Sequence, residues 1–135
     1  LVKEGKETIE PAFTKEERLN YFKNKKIQQL KKERDNQVKQ IVVVLDSGEQ
    51  LNGDEKSQDR MSRAINGLSD DTTTIDWIDY NNKLVKLTRP QLLEALRKAG
   101  QAQTAIYANY NTKRDNVLNA TSICDIYPDL DECKK

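Results

Sequence analysis

Apolar positions change their period several times along the chain, and each change marks an element. From Thr14 to Gln40 nothing interrupts a helix, and its apolar residues are sparse: Leu19, Phe22, Ile27, Leu30 and Val38. The last three, with Arg34 between them, form a thin stripe at helical spacing, as a coiled-coil seam would. Thr14 fits the N-cap, and Glu16 and Glu17 follow in the first turn, where carboxylates suit the helix dipole. The pattern then shifts. Residues 41–46 are mostly β-branched and apolar, Ser47-Gly48 is a turn signal, and Glu49-Gln50-Leu51 returns as a partner strand. Asn52-Gly53-Asp54 marks a second turn. A helix follows from Glu55 to Asn66 with Met61, Ala64, Ile65 and Leu68 on one face, and Gly67 fits its C-terminus.

Strict alternation resumes at Thr72. Thr73, Ile75, Trp77 and Asp79 fall on one side, and Thr72, Thr74, Asp76 and Ile78 on the other. Tyr80-Asn81-Asn82 forms the tip, because Asn tolerates the left-handed conformation that a tight turn demands. Lys83 to Thr88 returns. Thr88-Arg89-Pro90 starts a helix, with Thr as N-cap and Pro in the first turn. That helix runs to about Asn119 with Leu92, Leu96, Ala99, Ile106, Tyr110 and Val117 at alternating four- and three-residue steps, an a/d pattern interrupted by Gln103 and Lys113. Gly100 inside it suggests a kink or a close approach. The expected fold is α+β: two long helices with short β-hairpins and a small helix between them. Trp77, Ile75, Met61, Ile65, Leu87, Leu92 and Leu96 are the expected core. Ile27, Leu30, Val38, Ile106, Tyr110 and Val117 are the expected oligomer or partner seam. The chain divides into a linker (1–13), a domain (14–120) and an irregular tail (121–135).

Composition narrows the function classes. Apolar residues make up 36% and charged residues 33%, so the core is modest. The net charge is +1, which carries no global signal for nucleic acid or membrane. The longest apolar run, residues 41–45, is far short of the ~18 residues of a membrane span. The chain begins at Leu1 rather than Met, as a fragment of a longer protein would. There is no His, which removes the commonest general base and transition-metal ligand. No catalytic residue, metal site or cofactor is expected.

Several local clusters have a functional and a bland reading. Lys23, Lys25, Lys26, Lys31, Lys32 and Arg34 form the one dense basic cluster, suited to a nucleic-acid backbone or to a solvated helix face. Nearby acids and the lack of interleaved aromatics favour the bland reading. Asp70-Asp71, Asp76/Asp79 and Asp129/Asp131/Glu132 read as turns and caps. The 46–56 segment lacks the ligand spacing of a calcium loop. Cys124 and Cys133 are a candidate disulfide, or equally two free thiols; the sequence leaves both open. A lone strand Trp is more often core than ligand site, so Trp77 is expected to be a peg under the last helix.

Taken in order, the hairpin, "SQDRM" (57–61), Trp77 with Asp79-Tyr80-Asn81-Asn82, "VKLT" (85–88) and the long helix ending in "LNA" (118–120) resemble a known family. It is the uncharacterised domain family at the C-terminal ends of phage and prophage tail-fibre and tail-assembly proteins. The resemblance spans roughly residues 25–120. It implies a non-enzymatic structural or assembly role in a bacteriophage tail, with other tail or fibre proteins as partners. It also implies a homo-oligomer, a trimer being one candidate, located in the virion tail and in the host cytoplasm during assembly. The alternatives are an assembly chaperone or adaptor, or a nucleic-acid-binding module using residues 23–34.

Overall fold

The computed structural model describes residues 13–134. The fold is α+β, as expected. Its elements are α1 (Lys15–Lys39), β1 (Val42–Val44), β2 (Gln50–Asn52), α2 (Glu55–Gly67), β3 (Thr74–Ile78), β4 (Leu84–Thr88), α3 (Arg89–Leu118) and α4 (Ile123–Ile126), followed by a 3-10 turn at Asp131–Cys133. The described residues form two compact units: a central unit, Glu33–Asn109, and a terminal unit made of residues 13–32 and 110–134. None of the described helices is long and apolar enough to cross a membrane.

Both long helices start with the same device. The Thr14 hydroxyl accepts from the Glu17 amide at 3.0 Å, and the Glu17 carboxylate accepts from the Thr14 amide at 2.9 Å. Thr88 and Gln91 repeat this reciprocal cap at the start of α3, at 2.9 and 3.4 Å. Each pair satisfies two amides that a helix N-terminus leaves orphaned.

In the central unit the two hairpins are antiparallel, β1 with β2 and β3 with β4. Their loops are built alike. Leu45 and Glu49 face each other across Asp46-Ser47-Gly48, and the Gly48 amide donates back to the Leu45 carbonyl at 2.8 Å. Asp79 and Lys83 face each other across Tyr80-Asn81-Asn82, and the Asn82 amide donates back to the Asp79 carbonyl at 3.1 Å. The last loop residue is left-handed in both, Gly48 at φ 104° and Asn82 at φ 63°. The first turn is thus one residue longer than the Ser47-Gly48 pair expected. A left-handed third residue restores the strand register that a plain two-residue turn would lose here. Gly67 ends α2 without left-handed geometry, and Leu68 closes the helix through its amide to the Ala64 and Ile65 carbonyls.

Leu51, Met61, Leu87 and Leu92 are the fully buried large side chains of the central core, with Val38, Ile41, Val43, Leu45, Ile65, Ala95 and Ala99 around them. Burying each large aliphatic side chain contributes about 1.5–3 kcal/mol. Trp77, Ile75 and Leu96, expected in the core, are only half-buried and pack on its rim. A two-stranded sheet has no third strand to seal its flank, so a large ring there keeps one edge in water. Gly53 is where the core is tightest. A Cβ there would stand 2.6 Å from Ile41 Cγ2 and 3.1 Å from Ala99 Cβ. Gly100, where a close approach was expected, has open space around it, and α3 runs through it unbroken.

The terminal unit has its own smaller core of Leu30, Tyr110, Val117 and Ile126, with Leu19, Ile27, Ala120 and Tyr127 against it. The residues expected at the seam take part in these two cores. Leu30, Tyr110 and Val117 are buried in the terminal core, with Ile27 against it. Val38 is buried in the central core, with Ile106 against it. Helical spacing marks a face that must be covered, and here the chain covers it itself. The tail expected to be irregular also has structure. Ser122 caps α4 by accepting from the Cys124 amide at 3.1 Å, Ile126 is buried, and Cys124 and Cys133 are joined in a disulfide. Of the expected linker, residues 1–12 lie outside the described residues.

Candidate interaction surfaces

Alternation along β3 and β4 assigns each side chain a face. Ile75 opposite Leu87 and Trp77 opposite Val85 point to the core. Thr74 opposite Thr88, Asp76 opposite Lys86 and Ile78 opposite Leu84 point outward. The middle outward pair is an ion pair, Lys86 Nζ to Asp76 Oδ1 at 2.8 Å. The last is apolar and open, with Ile78 55% and Leu84 63% exposed. The hydrogen bond from the neighbouring Asp79 amide to the Lys83 carbonyl makes Ile78–Leu84 a non-hydrogen-bonded pair, the kind whose side chains stand closest. Tyr80, the first residue of the adjoining loop, is also exposed, and the three give this end of the hairpin an apolar patch.

This patch sits on a stiff support. Asp79 is the buried charged residue of the loop, and its carboxylate accepts from the Asn81 and Lys83 amides, each at 2.8 Å. The Tyr80 amide donates to the Gln50 carbonyl at 2.8 Å, tying the tip to β2. The sequence already contained the signal for the patch. Ile78 and Leu84 are the apolar interruptions of an otherwise polar alternation.

The outer face of β1 carries a second, smaller apolar strip, Val42 and Val44. Lys98 caps it. Its ammonium donates to the Val44 carbonyl and to Glu94, both at 2.7 Å, and lies 3.3 Å from Asp46. The Lys98 hydrogen bond is the main cause that lowers the Glu94 pKa, and the Glu94 bond is the main cause that raises that of Lys98. Both stay charged.

Beside α2, an open groove of about 520 Å³ is lined by Asp35, Val38, Lys39, Asp54, Glu55, Lys56 and Tyr107. Its charges are mixed, and Arg34 lies over the Tyr107 ring at 4.9 Å. Nearby, the Gln58 side chain donates to the Gly53 carbonyl at 2.9 Å and to Gln103 at 2.8 Å, and Gln103 donates on to Glu55 at 2.9 Å. Gln58 of "SQDRM" therefore works as a clamp on the Gly53 turn. Gln103, which reads in sequence as an interruption of the apolar stripe, is its partner.

In the terminal unit, Phe13, Arg18, Tyr21 and Phe22 line a depression of about 390 Å³. Tyr21 and Phe22 meet edge to face at 5.3 Å, and Arg18 stands 5.6 Å from the Phe22 centroid. Aromatic rings with a cation over one face suit protein contacts.

The basic cluster of residues 23–34 is divided among these structures. Lys23 donates to the Leu118 carbonyl at 2.8 Å, Lys26 lies over Tyr127, and Arg34 over Tyr107. Lys25 and Lys32 remain exposed. The acidic residues serve turns. Asp70 accepts from the Thr72 and Thr73 amides at 2.9 and 2.7 Å, and the Thr73 amide first, then that of Thr72, lowers its pKa to about 2. Among the described residues no group of His, Cys, Asp and Glu is arranged to hold a metal ion.

Residues 22–132 match a family model described as a domain of unknown function, DUF4376. No curated protein and no solved structure matches the chain.

Proposed function

The chain belongs to the DUF4376 family, and we propose that it is a non-enzymatic structural component of a phage or prophage-derived tail or tail fibre. It acts by protein–protein packing and fibre attachment, with other tail or fibre proteins and further copies of itself as partners. Its place is the virion tail, reached by assembly in the host cytoplasm. The ordered motifs from "SQDRM" to "LNA" supply the resemblance behind this reading. The observation that carries it is the exposed apolar pair Ile78–Leu84, with exposed Tyr80, on a hairpin whose other face packs on the central core. A rigid support lowers the ordering cost of binding, which is what a permanent packing contact requires. The basic cluster favours a nucleic-acid role less, since Lys23, Lys26 and Arg34 are spent on intramolecular contacts.

The test is incorporation. Mass spectrometry of purified particles should detect the chain, and the double substitution Ile78→Asp, Leu84→Asp should abolish incorporation while the circular dichroism spectrum stays native. A chain absent from finished particles would move the assignment to an assembly chaperone or adaptor. Undiminished incorporation of the double variant would remove the patch from the interface.

A further inference from the structure

The segment that follows α3 lies along one row of α1. The Tyr127 ring stands edge-on to Phe22 at 5.6 Å, the Lys26 ammonium is 5.3 Å from the Tyr127 centroid, and Glu132 receives both terminal nitrogens of Arg18. Arg18, Phe22 and Lys26 recur every four residues, so they stack as a single ridge of the helix. Ile126 is the one buried side chain of α4. The Cys124–Cys133 bond, nine residues apart in sequence, closes the segment into a loop between α4 and the 3-10 turn.

The non-covalent hold on this segment combines Ile126, buried in the terminal core, with the surface contacts to the ridge. The Arg18–Glu132 pair is half exposed on both sides, and such pairs are largely offset by solvent and side-chain entropy. The Tyr127 hydroxyl oxygen is buried with no hydrogen-bond partner, a cost that opening would relieve. Ordering the backbone of residues 122–134 opposes these contacts. The disulfide shifts this balance by removing extended states from the open ensemble.

We propose that residues 122–134 form a redox-controlled strap, closed on the Arg18–Phe22–Lys26 ridge when Cys124 and Cys133 are bonded and released when they are reduced. Cys124 is exposed and Cys133 half-buried, so an incoming thiolate reaches the Cys124 sulfur. A low-molecular-weight thiol of the glutathione class attacks that sulfur and expels the Cys133 thiolate, which takes up a proton. A second thiol then cleaves the mixed disulfide. Two donor thiols are oxidised to one disulfide, and the protein gains two electrons and two protons as two Cys thiols. Closure is the reverse reaction with the oxidised couple. The strap is therefore open in a reducing cytoplasm and shut outside it. The inference rests on the disulfide and its contacts and is independent of the role in a particle.

The experiment is hydrogen exchange by mass spectrometry on the full chain, equilibrated with reduced or with oxidised glutathione. Protection of the 122–134 amides should fall by about tenfold or more on reduction and return on reoxidation, while Glu33–Asn109 stays unchanged. Cys124→Ser under oxidising conditions should reproduce the reduced pattern, and Cys133→Ser should agree with it. Identical exchange in the two buffers would overturn the strap. So would loss of protection spreading through Glu33–Asn109, because the bond would then stabilise the whole fold rather than one segment.

Discussion

The two hairpins of the central unit solve one geometric problem with different chemistry. Each closes through a loop whose third residue is left-handed, and each returns an amide to the carbonyl that opens the loop. The β1–β2 loop uses Gly48, which takes φ 104° without a steric cost. The β3–β4 loop uses Asn82 and adds the Asp79 carboxylate, which holds two loop amides from within. The first hairpin is held from outside its loop, by Gly53 pressed against Ile41 and Ala99 and by Lys98 on the Val44 carbonyl. The second is held from inside its loop and by the Tyr80 amide on the Gln50 carbonyl, and its outer face carries Ile78 and Leu84. Both hairpins display apolar side chains, but the pair on the second, Ile78 and Leu84, is more exposed than Val42 and Val44 on the first.

Substitutions can break that comparison at graded cost. Gly53→Val should be the most damaging, about 3 kcal/mol in a denaturant titration, because its methyls enter space already filled by Ile41, Val43 and Ala99. Asp79→Ala should follow at about 1–3 kcal/mol, since the Asn81 and Lys83 amides lose their acceptor. Gly48→Ala should cost about 1–2 kcal/mol through its left-handed backbone, whereas Asn82→Gly should stay within a few tenths. If Asp79→Ala proves neutral, the second hairpin is not held from inside its loop.

Ile106→Glu should destabilise the central unit rather than only lower an assembly state, because Ile106 packs against the central core. Urea unfolding and light scattering read those two effects separately. The smallest effect concerns Asp70. Its carboxyl should titrate near pH 2 in the folded chain, as read by NMR. A depressed folded pKa means that its contribution is complete above the ordinary value of 3.8 and is lost as pH falls toward 2. Asp70→Ala should abolish the slowed exchange of the Thr72 and Thr73 amides.

Much of the fold was legible before the structure. Thr14 and Thr88 announce their helices because a hydroxyl followed three residues later by Glu or Gln can form a reciprocal cap where the helical pattern begins. The alternation of 72–88 sorts Ile75 and Trp77 from Ile78, since a strand's faces are set by parity. The displayed patch was legible in the same way, as two apolar residues on the wrong parity. The role of Gly53 was not legible, because a close approach depends on Ile41 and Ala99 arriving from distant positions. The partnership of Gln58 with Gln103 was hidden for the same reason, and the pairing of Cys124 with Cys133 was open until their backbones were placed.

Local rules acting within a few residues determined the elements of this protein: its caps, its turns, its strand parity and the apolar stripes of its helices. Which surface covers each stripe was decided only in the tertiary structure. Ile27, Leu30, Val38, Ile106, Tyr110 and Val117 have the spacing of a seam between chains, yet Leu30, Val38, Tyr110 and Val117 are buried within one chain and Ile27 and Ile106 pack against its cores. The hydrophobic effect rewards removal of apolar area from water and has no preference for the chain that supplies the cover.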